Sequence, residues 1–238
     1  MSVMIPQVVT GDRASGAQVI EGSLRFDPTY KTYLTRTPPS SGNQKTWTWS
    51  CWIKRQSPVN GTDQYFFHGR ANASYYTYFL FDTNDKIRVY ASRGGASSFD
   101  LITTARFRDA GWYHIVIAMD NTQGTASDRM KIYVNGVEET NFATSTYPSQ
   151  NVDYYLNDNY PMQVSGIDGA NVITGSYSQM YLIDGQMLDA SYFGYTDELT
   201  NTWRPKKFNI EDAPTADWGT CGSYLPFDGS APIGEDQS

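Results

Sequence analysis

Cysteine, histidine, positive charge and long apolar runs are all scarce in this 238-residue chain, and each scarcity removes a class of function. The two cysteines, Cys51 and Cys221, form no Cys-x-x-Cys pair and have no histidine at metal-ligand spacing, which argues against zinc sites and dithiol redox chemistry. One disulfide between them stays open, but Cys51 lies in a strand pattern where a buried free thiol behaves as a small apolar residue. Lys and Arg number 18 against 25 Asp and Glu, for a formal charge of −7 and a pI near 4.8. Affinity for phosphate backbones comes mainly from Lys and Arg displacing counterions, so no nucleic-acid partner is expected. No run approaches the roughly 18 apolar residues needed to span a bilayer, and Met-Ser-Val-Met-Ile-Pro-Gln at the N-terminus lacks the basic region and apolar stretch of a secretion signal. The expectation is a soluble chain, without membrane insertion and not exported by the general route.

What is abundant is tyrosine. Aromatic residues make up 15% of the chain, 18 of them Tyr, while hydrophobic residues reach only 39% and charged residues 18%. Such a chain can bury a core yet present a surface of Tyr, Ser, Thr and Asn, which suits ring stacking and hydrogen bonding. The length is within the range of one large all-β domain.

Residues 1–22 hold Gly11, Gly16, Gly22 and scattered polar residues without period, which predicts an N-terminal arm ahead of a domain over 23–238. Beyond it the chain reads as short strands near 23–26, 32–36, 46–54, 75–81, 86–91, 112–119, 130–135, 162–167, 177–183 and 224–227, separated by turn signals, which means a sandwich or barrel. Side chains alternate with period two along a strand, so Trp47, Trp49, Cys51 and Ile53 share an inward face, as do Ile87, Val89 and Ala91, and Met130, Ile132 and Val134. Trp52 falls on the outward face. The 112–119 run is apolar on both faces, the mark of a central strand covered on each side. Asn135-Gly136 supplies the positive φ angles of a two-residue hairpin turn. Asp189 can cap, and Gly194 end, one or two helical turns, and 195–220 reads as an ordered but irregular crossing. Asp82-Thr83-Asn84-Asp85 is turn chemistry first, with a calcium loop as the sharper alternative.

The order of Ser23-Leu-Arg-Phe-Asp, Thr46-Trp-Thr-Trp-Ser-Cys-Trp-Ile-Lys, Gly111-Trp-Tyr-His, Lys131-Ile-Tyr-Val-Asn-Gly and Tyr181-Leu-Ile-Asp-Gly-Gln-Met-Leu resembles laminin-G-like, concanavalin A-like domains. That resemblance implies an all-β jelly-roll sandwich of two antiparallel sheets. Gly22-Ser-Leu-Arg-Phe-Asp-Pro, Tyr33-Leu-Thr-Arg-Thr-Pro, Tyr147-Pro-Ser-Gln and Leu182-Ile-Asp-Gly-Gln are more narrowly similar to lectin-like virion proteins of tailed phages, including cyanophages. The implied role is a non-enzymatic virion surface protein, tail fibre or capsid decoration, assembled in the host cytoplasm. Its implied partners are other virion proteins, copies of itself in a homo-oligomer, and host cell-surface glycans. The alternative is a free-standing lectin or the glycan-binding module of an enzyme.

The residues carry no catalytic constellation. Glycosidases of this fold take paired carboxylates from one strand spaced Glu-x-Asp-x-x-Glu, and no such spacing exists; Glu138-Glu139 follow a hairpin turn and Glu211-Asp212 lie in the Pro-bounded crossing. His68 and His114 come with no Gly-x-Ser-x-Gly elbow, and His114 is expected to be a hydrogen-bonded structural residue of the central strand. No cofactor, metal or catalytic residue is assigned. The candidate ligand surface is the 151–160 loop, where Asp153, Tyr154, Tyr155, Asn157, Asp158 and Tyr160 offer rings for sugar faces and polar groups for hydroxyls. The same composition suits a loop packed by its own tyrosines or against a neighbouring subunit.

Overall fold

The computed structural model describes residues 18, 20, 22–56, 61–229 and 234–238, with only the backbone of Ser97. Its strands are β1 (Leu24–Phe26), β2 (Leu34–Arg36), β3 (Thr46–Arg55), β4 (Gln64–Asn72), β5 (Tyr75–Phe81), β6 (Ile87–Arg93), β7 (Ala96–Thr103) and β8 (Trp112–Asp120). They continue as β9 (Met130–Val134), β10 (Val137–Glu138), β11 (Phe142–Thr146), β12 (Met162–Val164), β13 (Gly175–Asp184), β14 (Gly194–Asp197), β15 (Thr202–Pro205) and β16 (Ser223–Leu225). Among the described residues these form two seven-stranded antiparallel sheets and a small hairpin, β14–β15. The first sheet runs β1-β13-β3-β8-β9-β10, with β16 also on β13; the second runs β11-β7-β6-β5-β4-β12-β2.

The two sheets meet through the faces that alternation assigns inward. Trp47, Trp49, Cys51, Ile53, Met130, Ile132 and Val134 of the first sheet, and Ile87, Val89 and Ala91 of the second, are all buried in one core cluster. Trp49 stacks on Phe66 and Phe67 at centroid distances of 5.4 and 5.6 Å and meets Phe79 edge-on at 5.7 Å. Ile132 is fully buried, whereas its neighbour Lys131 points out to Glu138 and Asp128 at 3.0 and 3.4 Å. Ile132→Ala is therefore expected to cost roughly 2–5 kcal/mol and Lys131→Ala under about 1 kcal/mol in urea titrations. Equal losses would contradict the register.

Two devices shape the first sheet. Asn135 and Gly136, at φ 49° and 81°, turn β9 into β10 as the dipeptide predicts, and a Cβ on Gly136 would stand 2.3 Å from the Trp203 ring. On β13 a bulge at Gln179, φ 50°, divides the outer edge, so that β1 pairs with residues 175–177 and β16 with residues 180–182. The Gln179 side chain fixes this junction: its Oε1 accepts from Tyr224 and Tyr181 hydroxyls at 2.7 and 3.1 Å and from Gln18 Nε2 at 2.8 Å. Most of the expected N-terminal arm lies outside the described residues, but Gln18 is docked on its own chain, its N–H also donating to the Pro205 carbonyl at 3.1 Å.

The outer face of the first sheet is covered, as the two-sided apolar pattern of β8 requires. Val116, Tyr181, Ile183, Leu188, Phe193 and Phe208 form a second buried cluster beneath the C-terminal crossing. The 195–220 crossing is more regular than its sequence suggests, since it contains most of the β14–β15 hairpin and a 3-10 turn at Ile210–Asp212. The helical turn expected after Asp189 is the 3-10 turn Ala190–Tyr192, which Asp189 caps by accepting from Ser191 N–H at 2.8 Å. Trp52, read as outward, is outward but only 7% exposed: it stacks on His114 at 5.0 Å. Both cysteines are buried free thiols.

Candidate functional site

The outer face of the second sheet is the contrast. Alternation on β4, β5 and β6 sends Phe67, Phe79, Phe81, Val89 and Ala91 into the core and leaves Tyr65, His68, Tyr76, Tyr78, Leu80 and Tyr90 on the other side. Antiparallel register brings these together: Tyr78 lies opposite His68 on β4 and Tyr90 on β6. Tyr78 is the centre of the group, stacked on Tyr76 at 4.0 Å and 7°, and meeting Tyr65, His68 and Tyr90 edge-on at 5.1, 5.3 and 5.5 Å. It is buried by those neighbours, while Tyr76 and Tyr90 remain half-buried, with ring surface toward solvent. Among the described residues, the apolar side chains packed against the buried Tyr65, Tyr78 and Leu80 are Tyr76, Tyr90 and Ile167 of the 165–171 loop, whereas the outer face of the first sheet meets the whole C-terminal crossing.

Polar groups frame the rings. Gln163 of β12 accepts from His68 Nε2 at 3.0 Å and from Asp168 N–H at 2.9 Å, and donates to Asp168 Oδ1 at 2.8 Å. Arg70 pairs with Asp168 at 3.2 Å, and Arg88 lies over the Tyr90 ring at 4.2 Å while binding both oxygens of Asp100 at 2.8 and 2.7 Å. Burial pushes the Tyr78 phenol up to about 12 and raises Tyr90 and Tyr65 as well, and it lowers His68 to about 4. Near neutral pH the phenols and the imidazole are therefore uncharged. The face can supply aromatic surface, hydroxyl donors and acceptors, and paired charges, which is stacking and hydrogen-bonding chemistry.

The 151–160 loop is placed differently from its expected role. Tyr154 and Asn157 are corrected from ligand groups to interior ones, because both are fully buried. The Tyr154 ring packs edge-on against Phe99 at 4.9 Å and its hydroxyl accepts from Ser149 N–H at 3.0 Å. Asn157 Nδ2 donates to Asp184 Oδ1 at 3.0 Å and to the Asn43 carbonyl at 3.2 Å. The loop backbone lies against β4 so closely that a Cβ on Gly69 would meet the Tyr155 carbonyl at 2.1 Å. The loop thus closes the end of the sandwich. Of its other candidates, Asp153 is exposed and pairs with Lys45 at 3.5 Å, Asp158 accepts from Ser41 Oγ at 2.6 Å, and Tyr155 lies 5.2 Å from Tyr75 and 6.5 Å from the exposed Tyr160.

The remaining polar candidates are structural. His114 accepts from Trp203 Nε1 at its Nδ1 (3.0 Å), so its Nε2 carries the proton and donates to Ser50 Oγ at 2.9 Å; burial lowers it to about 3. Asp82 accepts from the N–H groups of Asn84 and Lys86 at 2.8 and 2.9 Å, the turn chemistry expected of its segment, while Asp85 turns inward to arginines. Among the described residues, no group of three or more His, Cys, Asp or Glu is arranged to hold a metal ion.

The fold recurs in solved structures at low identity, which speaks to fold alone. A Bacteroides ovatus protein described as a candidate carbohydrate-binding protein superposes with a TM-score of 0.59 at 15% identity, covering 92% of this chain and 56% of that one. Domains LG4-5 of the mouse laminin alpha1 chain give 0.51 at 12%, covering 73% and 44%. Domain 4 of AbnA, an extracellular arabinanase of Geobacillus stearothermophilus in complex with arabinotriose, gives 0.50 at 16%, covering 70% and 72%. No curated protein sequence shows significant similarity. The Laminin_G_3 family model, described as the concanavalin A-like lectin/glucanases superfamily, matches residues 28–182. With that match over most of a two-sheet jelly roll, the chain belongs to the concanavalin A-like lectin/glucanase superfamily.

Proposed function

We propose that this protein is a non-enzymatic recognition protein that binds carbohydrate on the tyrosine face of its second sheet. The observation that carries the reading is the contrast between the two outer faces: one is sealed by a C-terminal crossing, and the other presents Tyr76 and Tyr90 above a packed Tyr78. Tyr rings stack on the apolar faces of sugars at low entropic cost, while the framing Gln, Arg and Asp groups suit hydroxyls. A domain of an arabinanase holds arabinotriose on the same fold, which supports a second reading as a glycan-binding module of a larger protein.

The finer reading is a surface component of a phage virion, in contact with other virion proteins and with copies of itself. It rests on the resemblance of Gly22–Pro28, Tyr33–Pro38, Tyr147–Gln150 and Leu182–Gln186 to lectin-like virion proteins, and antibody labelling of particles tests it. For glycan binding, Tyr76→Ala and Tyr90→Ala should each weaken the affinity for a bound oligosaccharide by about tenfold. No new reducing ends should appear. Unchanged affinity in both variants, measured by calorimetry on folded protein, would remove the sheet face as the site.

A further inference from the structure

Resting on the reading of this face as a glycan site, we infer that it selects uncharged oligosaccharides over sialylated, uronic or sulfated ones. Recognition of an acidic sugar needs a guanidinium or ammonium whose hydrogen bonds are free to meet the anion, most effectively in the two-pronged geometry of Arg with a carboxylate. The two arginines among the rings each already face a carboxylate, although Arg70 keeps a buried Nε without a partner. Arg88 has both oxygens of Asp100 at 2.8 and 2.7 Å and its plane against Tyr90, and Arg70 holds Asp168 at 3.2 Å. An incoming anion would have to displace a carboxylate held on the same sheet or its flanking loop, and would then face that carboxylate's repulsion.

At the turn end of the face Asp63 lies close enough to Arg88 and Asp82 to feel their fields, and Asp82 accepts from the backbone N–H of Lys86, so two carboxylates stand there beside the one half-buried ammonium of Lys86. The phenols and His68 add no charge near neutral pH. A neutral sugar has no such conflict, because its hydroxyls can use lone pairs and N–H groups that the Arg–Asp pairs leave over while its C–H face lies on Tyr76 or Tyr90.

One substitution tests the neutralisation directly. Asp168 is the exposed half of its pair, its side chain 68% accessible, and its backbone lies at φ 49°, a conformation Asn also adopts readily. Asp168→Asn keeps an oxygen for Gln163 Nε2 but releases the charge of Arg70. The probe is an array of neutral oligosaccharides, each printed beside its sialylated or sulfated counterpart, read between about 0.1 M and about 1 M salt. The native protein should bind neutral members with less than about twofold change across that range and leave the acidic counterparts unbound. D168N should gain acidic binding that falls as salt rises. Preference of the native protein for acidic counterparts, or a D168N variant that gains none, overturns the inference while leaving glycan binding intact. Silence of the native protein on every glycan overturns the underlying site reading instead.

Discussion

Asp85→Ala should cost roughly 3–5 kcal/mol, among the largest losses available to a single substitution in this molecule, because it strands a charge in the core. Asp85 is fully buried, with Oδ1 3.1 Å from Arg55 Nη1 and Oδ2 2.9 Å from Arg108 Nε. Arg55 is itself 1% exposed and donates to the Phe107 carbonyl at 2.7 Å and to Gln64 Oε1 at 3.2 and 2.7 Å, its guanidinium 4.3 Å from the Phe81 ring centre. Dipoles and a ring face can complete the shell of that cation but not replace its counter-charge. Two controls separate the causes. Asp85→Asn keeps a side chain suited to φ 64° and one hydrogen-bonding oxygen, so the part of the loss it shares with Asp85→Ala is due to charge and not to backbone strain. Arg108→Ala removes the half-exposed partner and should cost under about 1 kcal/mol. Urea titrations in which Asp85→Ala and Arg108→Ala lose equally would show that the buried pair is not the hub described.

The position of that pair gives it a consequence for the site. Arg55 ends β3 in the first sheet, whereas Gln64 opens β4 and Asp85 sits in the turn between β5 and β6, all in the second. The network staples one end of the sandwich, and the strands it holds are those whose outer residues are Tyr65, Tyr78 and Tyr90. The spacing of a tyrosine face depends on strand register, so a loss at Asp85 should loosen the platform before it unfolds the opposite sheet.

Where period was intact, the sequence was readable. Trp47-Thr-Trp-Ser-Cys-Trp-Ile alternates without a break and its inward set is buried, and Asn135-Gly136 makes its turn because both residues tolerate positive φ. β4 escaped because a bulge near Phe66 puts Phe66 and Phe67 both inside and spoils the alternation. β7 and β11, rich in Ser, Thr and Ala, look like turn sequence and gain their strand identity from pairing with each other at the sheet edge. The tyrosine face was half visible: once Ile87, Val89 and Ala91 are inward, Tyr90 must be outward. What no single strand reveals is that Tyr90 stands opposite Tyr78. In the 151–160 loop, where Tyr154 and Asn157 of the six candidates are buried, the limit was of the converse kind. The loop has no period, so its composition advertises rings without saying which of them the core takes.

Tyr154 and Tyr155 turn that ambiguity into a measurement, since adjacent residues of one type should differ severalfold in effect. Tyr154→Ala removes a fully buried ring from its edge contact with Phe99 and leaves Ser149 N–H without its acceptor, so a loss of about 3–5 kcal/mol is expected. Tyr155→Ala trims a partly exposed ring from a surface group with Tyr75 and Tyr160 and should cost under about 1.5 kcal/mol. Tyr154→Phe retains the ring and loses only the hydroxyl, so a cost near 1 kcal/mol apportions the total between packing and hydrogen bond. The comparison is made by thermal unfolding, with oligosaccharide affinity measured on the variants that stay folded. Because Tyr155 packs on Tyr75, which alternation puts on the opposite side of β5 from Tyr76, Tyr155→Ala should also leave sugar affinity within about twofold, whereas Tyr76→Ala should not. A Tyr155 variant that unfolds as easily as the Tyr154 variant would put both rings in the core. One that instead loses sugar binding while keeping its melting temperature would return recognition from the sheet face to the loop.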